Sequence, residues 1–194
     1  MRPEITDLIR GGSKVLDVGC GLGDLGNALT LKGCDYLGIE KDKDKVRYML
    51  DRKYMKVILG DLRTVTLQEK FDYIIFADVL EHLERPKEIL SMYAGYLNKG
   101  GKIIISIPNI AHISIILSLL KREWKYTDYG ILDKTHLKFF TLKSFLRLLN
   151  DVNLTTTDVK RIFSLKGSNL FNKLTLGIFK EYLTCQYVFV TERR

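Results

Sequence analysis

The chain has 194 residues, 46% of them hydrophobic and 28% charged, and 31 basic against 23 acidic side chains give a net charge of +8. That balance excludes a disordered or fibrous chain, and the length suits one domain with a sizeable core. The opening MRPEITDLIRGG holds no apolar run of a secretory leader, and no stretch reaches the roughly 18 apolar residues of a membrane span, so a cytoplasmic protein is expected. Cys20, Cys34 and Cys185 are odd in number and lack metal-ligand spacing, which suits reduced thiols.

In chain order, VLDV (15–18), DYLGIE (35–40), KVIL (56–59), FDYIIF (71–76) and KIIISI (102–107) are short apolar runs of the kind that form parallel strands buried on both faces. Helical segments are expected between them over 24–32, 42–53 and 84–97, the last stopping at a turn over Asn98-Lys99-Gly100-Gly101. An apolar helix over 112–120 follows, then a polar and aromatic loop over 121–140. Thr141 is the expected cap of a helix over 142–150 with Leu142, Phe145, Leu146 and Leu149 on one face. Two closing strands are expected over 152–164 and 183–191, with an amphipathic helix over 168–183 between them. Strand and helix alternation implies a Rossmann-like, doubly wound α/β sheet, mostly parallel with an antiparallel C-terminal edge strand, and helices on both faces. The expected organisation is one domain over 1–194, with a substrate lid inserted at about 109–140 and a further helical insertion at about 166–182.

The stretch VLDVGCGLGDLGNAL (15–29) holds two glycine registers. Read from Gly21 it is G-x-G-x-x-G, the dinucleotide fingerprint; read from Gly19 it is G-x-G-x-G. A pyrophosphate wants bare amides at a helix N-terminus, whereas Asp17 lies below this loop and Asp24 opens the helix. Gly21 also follows Gly19 and Cys20 rather than a strand. The strands end in a row of acids: Asp17, Glu40, Asp61 in GDL, and Asp78 in ADVL. In such sheets ligands bind at the strand carboxyl ends. An acid-lined cup with a glycine floor suits a positively charged nucleoside, and an NAD(P)-dependent dehydrogenase ranks last.

VLDVGCGLG resembles motif I of the class I S-adenosylmethionine-dependent methyltransferases. Glu40 ending YLGIE, GDL (60–62), FDYIIFADVLEHL (71–83) and GGKIIISIPN (100–109) follow in the family's order, so the resemblance covers roughly residues 10 to 150. It implies S-adenosylmethionine as cofactor and S-adenosylhomocysteine as product. It implies that Gly19, Gly21 and Gly23 let the backbone approach the cofactor, and that Asp17 helps hold the methionine amino group. It further implies that Glu40 takes the ribose hydroxyls, that Asp61 accepts from the adenine amino group beside the Leu62 backbone, and that Ala77 and Asp78 face the methionine end. Asp61 also fits a turn cap.

An aliphatic hydroxyl acceptor needs a general base. The candidates are His82 in EHL, His112 after PNIA, and His136 in ILDKTHLKFFT (131–141), with Asp133 placed to orient His136 if both share a turn. That last stretch is similar to one in ubiquinone-biosynthesis O-methyltransferases and in methyltransferases associated with bacterial glycans. The base-methylating Asn/Asp-Pro-Pro-Tyr stretch is replaced by ADVL, no cysteine relay is evident, and no Asp-Asn pair suggests a catechol-type metal, so no metal is expected. Residues 1–110 carry 17 basic against 16 acidic side chains, and 111–194 carry 14 against 7. In the lid, Trp124, Tyr126 and Tyr129 are interleaved with Lys121, Arg122, Lys125 and Lys134, which suits a ring bearing negative charge. The expectation is O-methylation of a small or glycan-linked, anionic acceptor. An RNA methyltransferase and a non-catalytic cofactor-binding partner subunit stay open. So do an oligomer and contact of 171–183 with a membrane surface.

Overall fold

The structure, a computed structural model, describes residues 2–51, 56–163 and 179–194. The strands are β1 (Lys14–Val18), β2 (Asp35–Glu40), β3 (Lys56–Leu59), β4 (Phe71–Ala77), β5 (Leu97–Pro108), β6 (Leu154–Phe163) and β7 (Thr184–Arg193). They form one sheet in the order β3-β2-β1-β4-β5-β7-β6. The first five are parallel, and β7 runs antiparallel to both β5 and β6. The antiparallel strand is the expected C-terminal one, yet it fills the slot inside the edge and leaves β6 outermost. The residue pattern explains this. Tyr187, Val188, Phe189 and Val190 are consecutive and all buried, as an interior strand requires. By contrast, β6 (LTTTDVKRIF) is half-exposed and polar, which suits an edge.

The helices are α1 (Pro3–Thr6), α2 (Asp24–Leu31), α3 (Lys43–Leu50), α4 (Pro86–Ala94), α5 (Ile113–Leu120), α6 (Leu142–Asp151) and α7 (Lys180–Leu183). Strand alternation divides the core into two layers. Leu16, Val18, Ile103, Ile105 and Ile107 pack with Leu90 and Tyr93 of α4 and Phe145 and Leu149 of α6. Val15, Ile75 and Ile104 pack with Ile5, Leu29 of α2, and Val46 and Met49 of α3 on the opposite face. Each of these fully buried side chains contributes roughly 1.5–3 kcal/mol of burial free energy.

Two boundaries differ from expectation. Pro86 starts α4, after a separate 3₁₀ turn over Leu80–His82, and the helix stops at Ala94 rather than 97. Leu97 already pairs with Phe71, and Lys102 with Tyr73, so 98–101 bulge out of the ladder instead of ending a helix. Gly100, at φ +76, allows the bulge. Thr141 caps α6 as expected, in a reciprocal capping box with Ser144. Residues 121–140 hold only an isolated bridge between Thr127 and Asp133, and Asn109 bridges Phe140 at the base of this loop. Most of the expected insertion at about 166–182 and of the expected helix over 168–183 lies outside the described residues; the described remainder holds α7.

Candidate active site

β1 and β4 are neighbours whose following segments diverge, so the crevice of this sheet opens at their carboxyl ends. The glycine loop occupies it. Gly19, Gly21 and Gly23 all have positive φ, at +73, +59 and +76. The amides of Gly19 and Cys20 donate to the Ile39 carbonyl at 2.8 and 3.0 Å. The Gly21 amide donates to Glu40 Oε2 at 2.9 Å. Three loop amides that a pyrophosphate would need are therefore engaged, one of them by a carboxylate. The geometry favours the register from Gly19. A Cβ added at Gly21 would meet nothing within 4 Å, so the loop leaves open space where a ligand can approach the backbone. Cys20 sits inside the loop as a small half-buried residue, its thiol pushed up to about 12 chiefly by desolvation.

Asp17 lies beneath the loop, 1% exposed. Its Oδ2 accepts from the Tyr36 hydroxyl at 3.0 Å, and its Oδ1 is buried without a partner. Burial raises its pKa to about 7 against the opposing pull of Tyr36 and Arg2. An orphaned buried carboxylate oxygen beneath the loop is an acceptor for an ammonium group.

A cleft of about 890 Å³ is lined by Gly19, Glu40, Asp61, Leu62, Asp78 and His82 among others. Glu40, buried at the end of β2, also accepts from the amides of Lys41 and Asp42 through Oε1 at 2.9 and 3.0 Å. Three of its roughly four acceptor positions are taken, which fixes the carboxylate and leaves capacity for a hydroxyl. Asp61 forms a tight turn: its carboxylate accepts from the Arg63 amide at 2.9 Å and from Arg63 Nε at 2.9 and 3.0 Å. These bonds hold its pKa down to about 2. The turn-cap reading of Asp61 is thus what the geometry displays, and Arg63 competes for the carboxylate that the adenine role needs. The Leu62 carbonyl accepts from the Tyr93 hydroxyl at 2.9 Å, which fixes this segment against α4.

Ala77 ends β4 opposite Ser106, and Asp78 follows with φ +56, an uncommon conformation for a side-chain-bearing residue. Its carboxylate collects Arg2 at 2.8 Å, the Ser106 hydroxyl at 2.7 Å and the Gln186 amide. Arg2 and Gln186 are far away in sequence, and nothing in their own neighbourhood signals the contact.

The three histidines separate. His112 is buried and caps α5, its Nδ1 accepting from the Ser114 amide at 3.3 Å and meeting the Ser114 hydroxyl at 2.8 Å. It does not line the cleft, and burial lowers its pKa. His82 does line the cleft. His136 stands behind it, ring centroids 4.7 Å apart in an edge-on arrangement. Asp133 does not orient the His136 ring. The Ile131 carbonyl does, 3.1 Å from Nδ1, while Asp133 Oδ1 accepts from the Thr135 amide and hydroxyl. Sequence reasoning passed over Glu81, which is 1% exposed with both carboxylate oxygens unpartnered. Burial, aided by Asp78, pushes its pKa up to about 8. The cue was its place beside His82 in EHL.

The family model for the methionine biosynthesis protein MetW matches residues 2–188. The chain belongs to the MetW family. A ubiquinone biosynthesis O-methyltransferase from Aeromonas salmonicida is 25% identical over 191 residues, spanning 92% of this chain and 79% of that one. The (S)-coclaurine N-methyltransferase of Papaver somniferum is 28% identical over 132 residues, spanning 62% of this chain but only 37% of the relative. Among solved structures, the magnesium protoporphyrin IX methyltransferase of Synechocystis with bound SAH superposes with a TM-score of 0.70 at 16% identity, covering 98% of this chain and 78% of that one. That likeness shows the fold. The MetW-family chain is accordingly a class I S-adenosylmethionine-dependent methyltransferase. The open space at Gly21, the buried acceptor of Asp17 and the anchored Glu40 fit that cofactor's charge and hydroxyls. Among the described residues, no helix is long and apolar enough to cross a membrane.

Proposed function

We propose that this MetW-family protein methylates an oxygen of a small, hydroxylated, anionic acceptor. One observation carries this reading: Glu40 and His82 line a single cleft, so a ribose anchor and a nitrogen base share one solvent-accessible space. When bound, S-adenosylmethionine supplies a methyl group on a sulfonium sulfur that an in-line nucleophile can displace. Glu40 takes a ribose hydroxyl, the Leu62 segment receives the adenine ring, and Asp17 draws the methionine ammonium toward β1. The acceptor hydroxyl enters at the His82 end. There its proton is taken up as the oxygen attacks, and holding the partners in line supplies much of the rate.

The lid supports an anionic acceptor. Trp124, Tyr126 and Tyr129 are exposed beside Lys121, Arg122 and Lys125, and Trp124 is braced edge-on by Phe139 at 5.6 Å. Aromatic faces and cations together suit a ring carrying carboxylate or phosphate. Labelled-methyl transfer to matched hydroxyl, amine and RNA acceptors tests the reading. Transfer to anionic hydroxyl compounds, with a KM that rises with salt, is expected. Transfer confined to amines or to RNA would overturn it.

A further inference from the structure

Glu81, His82 and His136 come from two separate segments, yet one donor atom of each lies within 4.8 Å of the others. The backbone holds them there: the Glu81 carbonyl accepts from the amides of Leu137 and Lys138 at 2.8 and 2.9 Å, fastening the lid to the 3₁₀ turn after β4. The Glu81 carboxylate is buried with neither oxygen partnered. Such a group needs either hydrogen-bond donors or a cation.

Both imidazoles have one nitrogen, Nδ1, committed. His136 Nδ1 faces the Ile131 carbonyl, which can only accept, so that nitrogen carries the hydrogen. His82 Nδ1 is 3.0 Å from the Thr135 hydroxyl and 3.2 Å from the Thr135 carbonyl. The Thr135 hydroxyl gives its one hydrogen to Asp133 Oδ1 at 2.6 Å, so toward His82 it must accept. In the neutral rings both Nε2 lone pairs are therefore bare. Ligating histidines are oriented in this way, with the far N–H tied to a carbonyl or to a relay ending in a carboxylate. Two imidazole nitrogens and one carboxylate suit zinc, iron or cobalt. Magnesium and calcium prefer oxygen-rich sets.

We propose that Glu81, His82 and His136 bind one divalent transition-metal ion at the acceptor end of the cleft. With its Nε2 on the ion, His82 serves as a ligand rather than as the base; the ion's task, holding an acceptor oxygen and easing loss of its proton to solvent, rests on the methyltransferase reading, and the binding itself does not. This departs from the sequence expectation of no metal, which sought an Asp-Asn pair and could not see segments that only the fold brings together.

The test uses the full chain, stripped with a chelator, titrated calorimetrically with zinc and followed with cobalt by visible absorption. One ion per chain is expected, with cobalt bands that report nitrogen ligation. Glu81→Gln and His136→Gln should each weaken zinc at least tenfold while S-adenosylhomocysteine binding shows that the protein is folded. Thr135→Val, which removes only the relay to His82, should weaken zinc by about tenfold. Failure of the folded, S-adenosylhomocysteine-binding protein to take up zinc would overturn the proposal, as would uptake unchanged in all three variants. Zinc uptake lost in the variants of a protein that binds no S-adenosylhomocysteine would uphold the metal site and sink the methyltransferase reading.

Discussion

Asp17→Asn isolates the electrostatic cost of the carboxylate under the glycine loop. The side chain is 1% exposed and keeps one bond, to the Tyr36 hydroxyl at 3.0 Å. Burial raises its pKa from 3.8 to about 7. Below about pH 4 the group is protonated in both states and its full stabilising contribution is present. As pH rises, the unfolded chain ionises first, and stability drains away until the folded carboxyl ionises near 7. The total loss is about 4 kcal/mol, of which roughly 3 kcal/mol falls between about pH 4.5 and 7.5. Asparagine cannot ionise, so the variant lacks this slope. Its amide nitrogen, placed where Oδ1 is unpartnered, carries a pH-independent cost of roughly 1–3 kcal/mol that cancels in the comparison. Urea unfolding of both proteins at the two pH values gives the difference directly. The variant should gain about 3 kcal/mol on the wild type as pH rises, and its cofactor affinity should fall at least tenfold because the ammonium partner has lost its charge. Parallel pH profiles would refute the reasoning.

Gly21→Val tests the space above the loop: the Cβ meets no protein atom, so the variant should fold, with a positive-φ strain of about 1–2 kcal/mol, yet titrate with at least tenfold weaker S-adenosylhomocysteine binding. Gly19→Ala should do worse in thermal melts, since its Cβ would lie 2.9 Å from Val79 Cγ2 at a φ of +73. Thr141→Ala removes the α6 capping box and should cost about 1 kcal/mol in chemical unfolding while leaving cofactor binding unchanged.

The parallel half of the sheet was legible because each strand is a short apolar run, and four of the five end at or near an acid that the fold carries to one rim. Thr141 was legible as a cap because the hydroxyl precedes a helical stripe. The order of β6 and β7 was harder. It depends on which of two late strands is apolar on both faces, and TCQYVFVTE differs from LTTTDVKRIF by only a few residues in that respect. The site divides the same way. Glu40 and the glycines lie at their own strand end and loop, so local sequence discloses their placement. Glu81, Thr135 and His136 matter only through contacts across the lid, and Arg2 only through Asp78. His112 looked like a substrate-facing residue because it follows β5, but a helix begins at Ile113 and needs a cap there.

The decisive measurement is a calorimetric titration of S-adenosylmethionine, S-adenosylhomocysteine and NADH into the wild type, with Glu40→Ala and Gly21→Val beside it. Micromolar binding of the two sulfur nucleosides, lost in both variants, is the expected result. Tight NADH binding in their place would contradict the glycine register on which the site is built.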